Sequence, residues 1–242
     1  MTAIATATAA RVVSRSTRSI STRNYGTRFK LFTPTDGNDE LRFVGTPNLH
    51  PNLGGDRPIA PLCRQVVDDV FSVEGVTSVI VRPFEVNIIR STAYDWEDLD
   101  QYLTYLIASA DPLLINTALP APPALPRPQR IRWFDTRSHE CRHYGLTVRL
   151  FTPTHNLNTE RNWPPIHGCG HEQTFTSGGA ALVERLSNID GLAHINFRAF
   201  EANVCKYDHF SWSELHEQIV DALRPCFSDS LNVQVQNRND WV

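Results

Sequence analysis

Much of this 242-residue chain is written twice. Tyr25-Gly26 and Phe32-Thr33-Pro34-Thr35 return as Tyr144-Gly145 and Phe151-Thr152-Pro153-Thr154, 119 positions later. Glu74-Gly75-Val76 returns as Asp190-Gly191-Leu192, at an offset of 116. Arg82-x-Phe84-Glu85-x-Asn87 returns as Arg198-x-Phe200-Glu201-x-Asn203, and Asp95-Trp96-x-x-Leu99 as Ser211-Trp212-x-x-Leu215, also at 116. One inner loop is therefore three residues shorter in the second copy. Solenoid repeats run at roughly 20–50 residues. A longer period calls for two duplicated domains, each of about 85 residues, a size that can fold alone.

Within the first copy, residues 27–32 and 40–44 read as strands around a turn rich in Pro, Gly, Asn and Asp. Pro61 suits a first helical position, and Leu62, Val66, Val67, Val70 and Phe71 follow at helical spacing. Glu74-Gly75 closes that helix. Residues 77–82 and 84–90 read as a hairpin, with Phe84, Val86 and Ile88 sharing one face. Asp95 is placed to cap a last helix over 96–108. The second copy repeats the plan: strands over 146–151 and 159–163, a helix over 178–186 capped by Ser177, a hairpin over 193–198 and 200–206, and the capping box Ser211-x-x-Glu214. The expected fold class is α+β: two similar ββαββα two-layer domains, each an antiparallel sheet with two helices on one face. The expected division is a transit-like segment over 1–25, domain 1 over 26–111, a proline-rich linker over 112–138, a diverged domain 2 over 139–226 and a polar tail over 227–242. A linker carrying Pro112, Pro120, Pro122, Pro123, Pro126 and Pro128 is stiff; it holds the domains apart or lies along a partner surface.

The first 30 residues carry Arg11, Arg15, Arg18, Arg23, Arg28 and Lys30, abundant Ser, Thr and Ala, and no acid. That is the pattern of a mitochondrial transit peptide. The alternative is a basic tail that binds nucleic acid or an anionic surface. Beyond residue 30 the formal charge moves from −3 to −9, because 17 Lys and Arg face 26 Asp and Glu. A body this acidic disfavours a phosphate backbone, so no direct nucleic-acid contact is expected. No apolar run reaches the roughly 20 residues of a membrane helix. The five cysteines, Cys63, Cys141, Cys169, Cys205 and Cys226, are odd in number and irregular in spacing. They suggest no disulfide framework and suit a reducing compartment.

These segments resemble the N-terminal domain of Nfu/NifU-type iron–sulfur scaffold proteins. The residues that carry the resemblance are Thr33-Pro34-Thr35, Leu41-Arg42-Phe43-Val44 and Ala60-Pro61-Leu62-Cys63-Arg64-Gln65. They continue with Val70-Phe71-Ser72-Val73-Glu74-Gly75-Val76-Thr77-Ser78-Val79, Phe84-Glu85-Val86-Asn87-Ile88 and Asp95-Trp96-x-x-Leu99. The second copy keeps Phe-Thr-Pro-Thr, Ile189–Leu192, the strand at Phe200 and Trp212. In that family a separate C-terminal domain holds the cluster through Cys-x-x-Cys, and this sequence has no Cys-x-x-Cys. The resemblance therefore implies no cluster ligand; it implies a partner-contacting module, here doubled.

The sharpest local signal is His139-x-Cys141-x-His143 followed by His167-x-Cys169-x-His171. Alternate residues of an extended strand share a side. The ends of an antiparallel hairpin meet, so Cys141, His143, Cys169 and His171 are the candidate ligands of a tetrahedral structural zinc, with His139 and His167 as alternates. The alternative is a set of polar surface-loop residues in a diverged copy. Cys63 and Cys205 read as small buried hydrophobes, Trp96 and Trp212 as core anchors. The repeated Arg-x-Phe-Glu-x-Asn reads as a hairpin whose Phe packs inward. Gly54-Gly55 and Gly178-Gly179 lie in no phosphate-loop pattern, and no nucleophile motif is present. The chain is thus expected to be a non-enzymatic adaptor or accessory subunit of a larger mitochondrial assembly, in the matrix or on the matrix side of the inner membrane. Its expected partners are protein subunits of a respiratory-chain complex, ATP synthase or mitochondrial ribosome. The alternative is an iron–sulfur assembly or carrier factor that works with a separate cluster-bearing partner. A third reading, an enzyme using the zinc site, has only Glu140 or Glu172 to offer as acid or base.

Overall fold

A computed structural model describes residues 14–15, 22–34, 39–44, 59–114, 120–125, 127–150, 161–163 and 176–238. Among the described residues the fold is mixed α+β, with four α-helices and two sheets, both largely antiparallel. No helix among them is long and apolar enough to cross a membrane. The N-terminal half contains β1 (Ser14–Arg15), β2 (Thr22–Gly26), β3 (Leu41–Val44), α1 (Pro61–Ser72), β4 (Val76–Arg82), β5 (Glu85–Arg90) and α2 (Trp96–Ser109). Its sheet runs β1-β2-β5-β4-β3. The C-terminal half contains β6 (Arg130–Asp135), β7 (Cys141–Leu146), β8 (Arg161–Trp163), α3 (Ser177–Ser187), β9 (Leu192–Arg198), β10 (Glu201–Lys206), α4 (Trp212–Leu223) and β11 (Gln234–Asn237). Its sheet runs β11-β6-β7-β10-β9-β8, with β11 parallel to β6.

Pro61 opens α1, where its missing N–H costs nothing, and Cys63, Val66, Val67, Val70 and Phe71 fall on one stripe. That stripe meets Leu99, Leu103 and Ile107 of α2 and the alternating Val79, Val81, Val86 and Ile88 of the β4–β5 hairpin in one core. The C-terminal half builds its own core from Leu182, Leu186, Ile195, Phe197, Val204, Leu215 and Ile219. Gly75 (φ 94°) and Gly191 (φ 99°) turn the chain into β4 and β9. A Cβ there would stand 2.5 Å from the Tyr94 ring and 2.6 Å from the Phe210 ring, so both positions demand glycine for φ and for space.

Several expected boundaries shift. Where each copy was expected to open, the strands are β2 and β7, which end where the expected strands begin; Thr27 and Leu146 instead donate their amides to the carbonyls of Phe84 and Phe200. β2 covers residues 22–25 of the segment read as transit-like, and Tyr25 is fully buried there. Residues 130–135 of the segment read as linker form β6, because Ile131 and Trp133 alternate with Arg130 and Arg132 at strand period. Part of the tail is structural too: β11 lies beside β6, and Phe227 and Val233 are buried.

Candidate functional site at the interdomain seam

The two halves meet where β5 hands over to α2. Asp95 caps α2, and its own backbone N–H donates to the Asp98 carboxylate at 2.8 Å. Three guanidinium groups of the C-terminal half converge on this corner. Arg132, 2% exposed, donates through both terminal nitrogens to Asp95, at 3.1 Å for one of them. Arg238 reaches Asp95 at 2.9 Å. Arg130 bridges Asp95 (3.2 Å) and Asp98 (3.1 Å). Burial alone would raise the Asp95 carboxyl, but bonds and charge from Arg132 and Arg238 outweigh it and hold the group below its ordinary value. Burial likewise lowers Arg132, opposed by its bonds to Asp95.

The neighbouring contacts are aromatic and polar. Phe200, at the β9–β10 turn, is fully buried in the core of the N-terminal half, edge-on to Tyr94 with centroids 6.2 Å apart. Burial raises the Tyr94 phenol, which stays protonated and donates to the Thr147 carbonyl at 2.9 Å. Arg149 lies over the Phe200 ring at 4.7 Å and feels the charge of Glu74. Gly145 lets the backbones close up: a Cβ there would stand 2.3 Å from Thr92 Oγ1 and 3.1 Å from the Ala93 amide nitrogen.

His143 belongs to this seam. It is buried, its Nδ1 meets Asn203 Oδ1 at 2.8 Å, its Nε2 meets Thr92 Oγ1 at 3.0 Å, and its ring stacks on Phe134 at 4.5 Å. Both ring nitrogens are thus occupied by polar partners. Cys141 lies opposite Cys205 across β7 and β10, and the two sulfurs form a disulfide. This corrects the reading of Cys205 as a small buried hydrophobe and adds one disulfide where the spacing suggested no framework: an antiparallel register joins residues 64 positions apart, which spacing alone does not reveal. The bonded Cys141 sulfur is no thiolate ligand while the disulfide stands. His139 is exposed in the turn before β7, and its carbonyl accepts from the Trp212 indole at 3.0 Å. His167, Cys169 and His171 lie outside the described residues. Among the described residues no group of three or more His, Cys, Asp or Glu converges to hold a metal.

Other readings land where expected. Cys63 is fully buried, and burial pushes its thiol up to about 11. Trp96 is buried in its core, and Trp212 packs against the second. Phe84 departs: β5 starts at Glu85, and Phe84 sits in the turn, 53% exposed. The seam arginines lie in segments that read as linker and tail, where the repeat gives no signal for them. The signal available was the alternation Arg130-Ile131-Arg132-Trp133. Comparison with known protein families, curated proteins and solved structures found no match.

Proposed function

We propose that this chain is a non-catalytic adaptor subunit of a larger mitochondrial assembly. In this reading it is built from two copies of one ββαββα unit, each similar to the N-terminal domain of Nfu-type scaffolds. The observation that carries it is the burial of Phe200 against Tyr94: a side chain of the repeated Arg-x-Phe-Glu-x-Asn motif serves as a protein-contact anchor, here between the two halves. A hairpin that docks on protein in one copy is a contact element available in the other. The ion-paired seam supports the same reading, since it ties the two halves to one another.

Affinity capture from mitochondria, with native electrophoresis of the same lysate, tests it. Co-migration with a stable set of subunits in a large species is expected. Migration only as a free small species refutes the adaptor role. A joint fall in several iron–sulfur enzyme activities on depletion would replace it with the assembly-factor reading. Disulfides persist in oxidising compartments. Thiol trapping in intact cells therefore reports the compartment: a reduced Cys141–Cys205 pair fits the matrix, an oxidised one does not.

A further inference from the structure

The seam is heterologous: the hairpin turn at Phe200 and the β7 residues His143 and Gly145 of the C-terminal half dock on the β5–α2 connection of the N-terminal half. Such an interface leaves one unused partner of each kind. Among the described residues the hairpin turn of the N-terminal half, at Phe84, has no occupant, and neither has the β10–α4 connection of the C-terminal half. We infer that the turn at Phe84 docks on the β10–α4 connection of a second copy of this chain, joining chains head to tail.

Sequence register tests the fit contact by contact. Offsets of 119 and 116 turn Tyr94–Phe200 into Phe210–Phe84, an aromatic pair again. They turn Glu74–Arg149 into Asp190–Lys30, again an acid with a cation. They turn Thr92–His143 into Asp208–Asn24, where the Asn amide can donate to the carboxylate. All three intrachain contacts therefore keep their chemistry in the intermolecular pairing.

Exposure agrees. Glu74, Thr92 and Ala93 are covered or half-covered, whereas Asp190, Asp208 and His209 are exposed. Phe200 is fully buried, whereas Phe84 is 53% exposed and Lys30 is exposed. Glycine carries an independent argument. Gly145 is required because the first half packs onto it, yet Gly26, its counterpart, would meet nothing within 4 Å if it carried a Cβ, and its φ is not positive. Nothing within the described chain demands glycine at 26; a docked copy of the 208–209 backbone would.

Charge is complementary as well. Arg28 and Lys30 are exposed on the docking side, where Arg82 is already paired with Glu40 and Glu85, and Asp190, Asp208 and Glu140 are exposed on the receiving side. The hydrogen bond to Asp208 and its charge raise Glu140, with Lys206 opposing, so two carboxylates stand together on this face. Two differences weaken the copy: Asp95 becomes Ser211, which offers no carboxylate to converging guanidinium groups, and Tyr94 becomes Phe210, which has no hydroxyl to match the bond to Thr147. The intermolecular joint is therefore weaker than the seam and concentration-dependent.

Light scattering on the purified full chain, from about 1 to about 200 µM, reads this directly. The wild-type mass is expected to rise above 27.3 kDa with concentration and to pass that of a dimer, since head-to-tail joints do not close at two. Phe84→Ser and Asp190→Lys, both at exposed positions, each hold the chain at monomer mass with an unchanged unfolding midpoint. Mixed in equal amounts, they stop at a one-to-one pair, because one variant keeps the receiving surface and the other keeps the turn. A wild type that stays monomeric throughout, a Phe84→Ser chain that associates as well as wild type, or a mixture that does not pair overturns the inference. It does not depend on the adaptor reading, which concerns other proteins and fails or holds in the capture experiment alone.

Discussion

The connection into α2 and the connection into α4 begin from the same local rule and end in opposite environments. Both place a capping residue before a Trp and return an acid three positions on: Asp95 with Asp98, Ser211 with Glu214. Ser91, Ala93 and Tyr94 are buried, while Tyr207, Asp208 and His209 are exposed. The helix cap itself is neutral between these outcomes. What separates them is the charge of the capping residue and the partners it can gather. Asp95 draws three guanidinium groups across the seam, whereas Ser211, among the described residues, bonds within its own turn, to Glu214 and Ser213. One capping residue thus serves as a hub between halves and the other as a local device.

The comparison breaks most sharply at the aromatic pair. Phe200→Ala empties a fully enclosed site and is expected to cost about 3–5 kcal/mol, read from the urea midpoint. Phe84→Ala, at the matching position, is expected to stay within about 0.5 kcal/mol. Equal losses for the two would show that the turn, and not the seam, sets the value of the aromatic ring.

Much of this was legible in the chain itself. The two helix cores followed from period 3.6 at Leu62–Phe71 and at Trp96–Leu106, with Cys63 and Ile107 buried more fully than Leu62 and Leu106, and the caps lie where Asp95 and Ser211 place them. The seam was not legible, for a physical reason. Repeat matching reveals what the halves share, and an interface between unlike surfaces depends on what they do not. Arg130, Arg132 and Arg238 lie in stretches whose prolines and polar residues read as linker and tail, and their role exists only once β6 and β11 pair. Phe84 and Phe200 share the frame Arg-x-Phe-Glu-x-Asn, and that frame assigns neither of them to solvent or to a core. The disulfide was hidden likewise, since Cys141 and Cys205 stand opposite only in the β7–β10 register, where the first half has Thr22 opposite Ile89.

Acid sharpens the ionic side of the comparison. Because the folded-state value of Asp95 lies below its unfolded one, its contribution is present above about pH 4 and is lost as pH falls through the folded value. Asp95→Asn keeps a competent cap but leaves the seam arginines facing a neutral amide. At neutral pH it is expected to cost about 2 kcal/mol, less than a fully enclosed pair because the carboxylate is 29% exposed. The gap between wild type and variant should close as the medium is taken below about pH 4. A gap that persists in strong acid would show that Asp95 acts through shape alone. Glu214 is also held low, by hydrogen bonds from Ser211, but it is exposed and its loss should fray only the start of α4.

The finest test uses the two glycines. Gly145→Ala puts a methyl group against Thr92 Oγ1, which can rotate away, and 3.1 Å from the Ala93 amide nitrogen, which is backbone and cannot. The halves must part by a few tenths of an ångström, at an expected cost of about 1–2 kcal/mol for the overpacked contact. Gly26→Ala fills open space at a negative φ, and within a single chain it should be neutral or slightly stabilising, by about 0.4–1 kcal/mol through the unfolded state. The opposite signs should appear in dilute solution, where only the intrachain seam is made. At high concentration Gly26→Ala should reverse its sign and lower the scattering mass, because the same methyl group would then meet the 208–209 backbone of the next copy. A Gly26→Ala chain that is stabilised when dilute and still associates as wild type does when concentrated would confine the need for close backbone approach to Gly145.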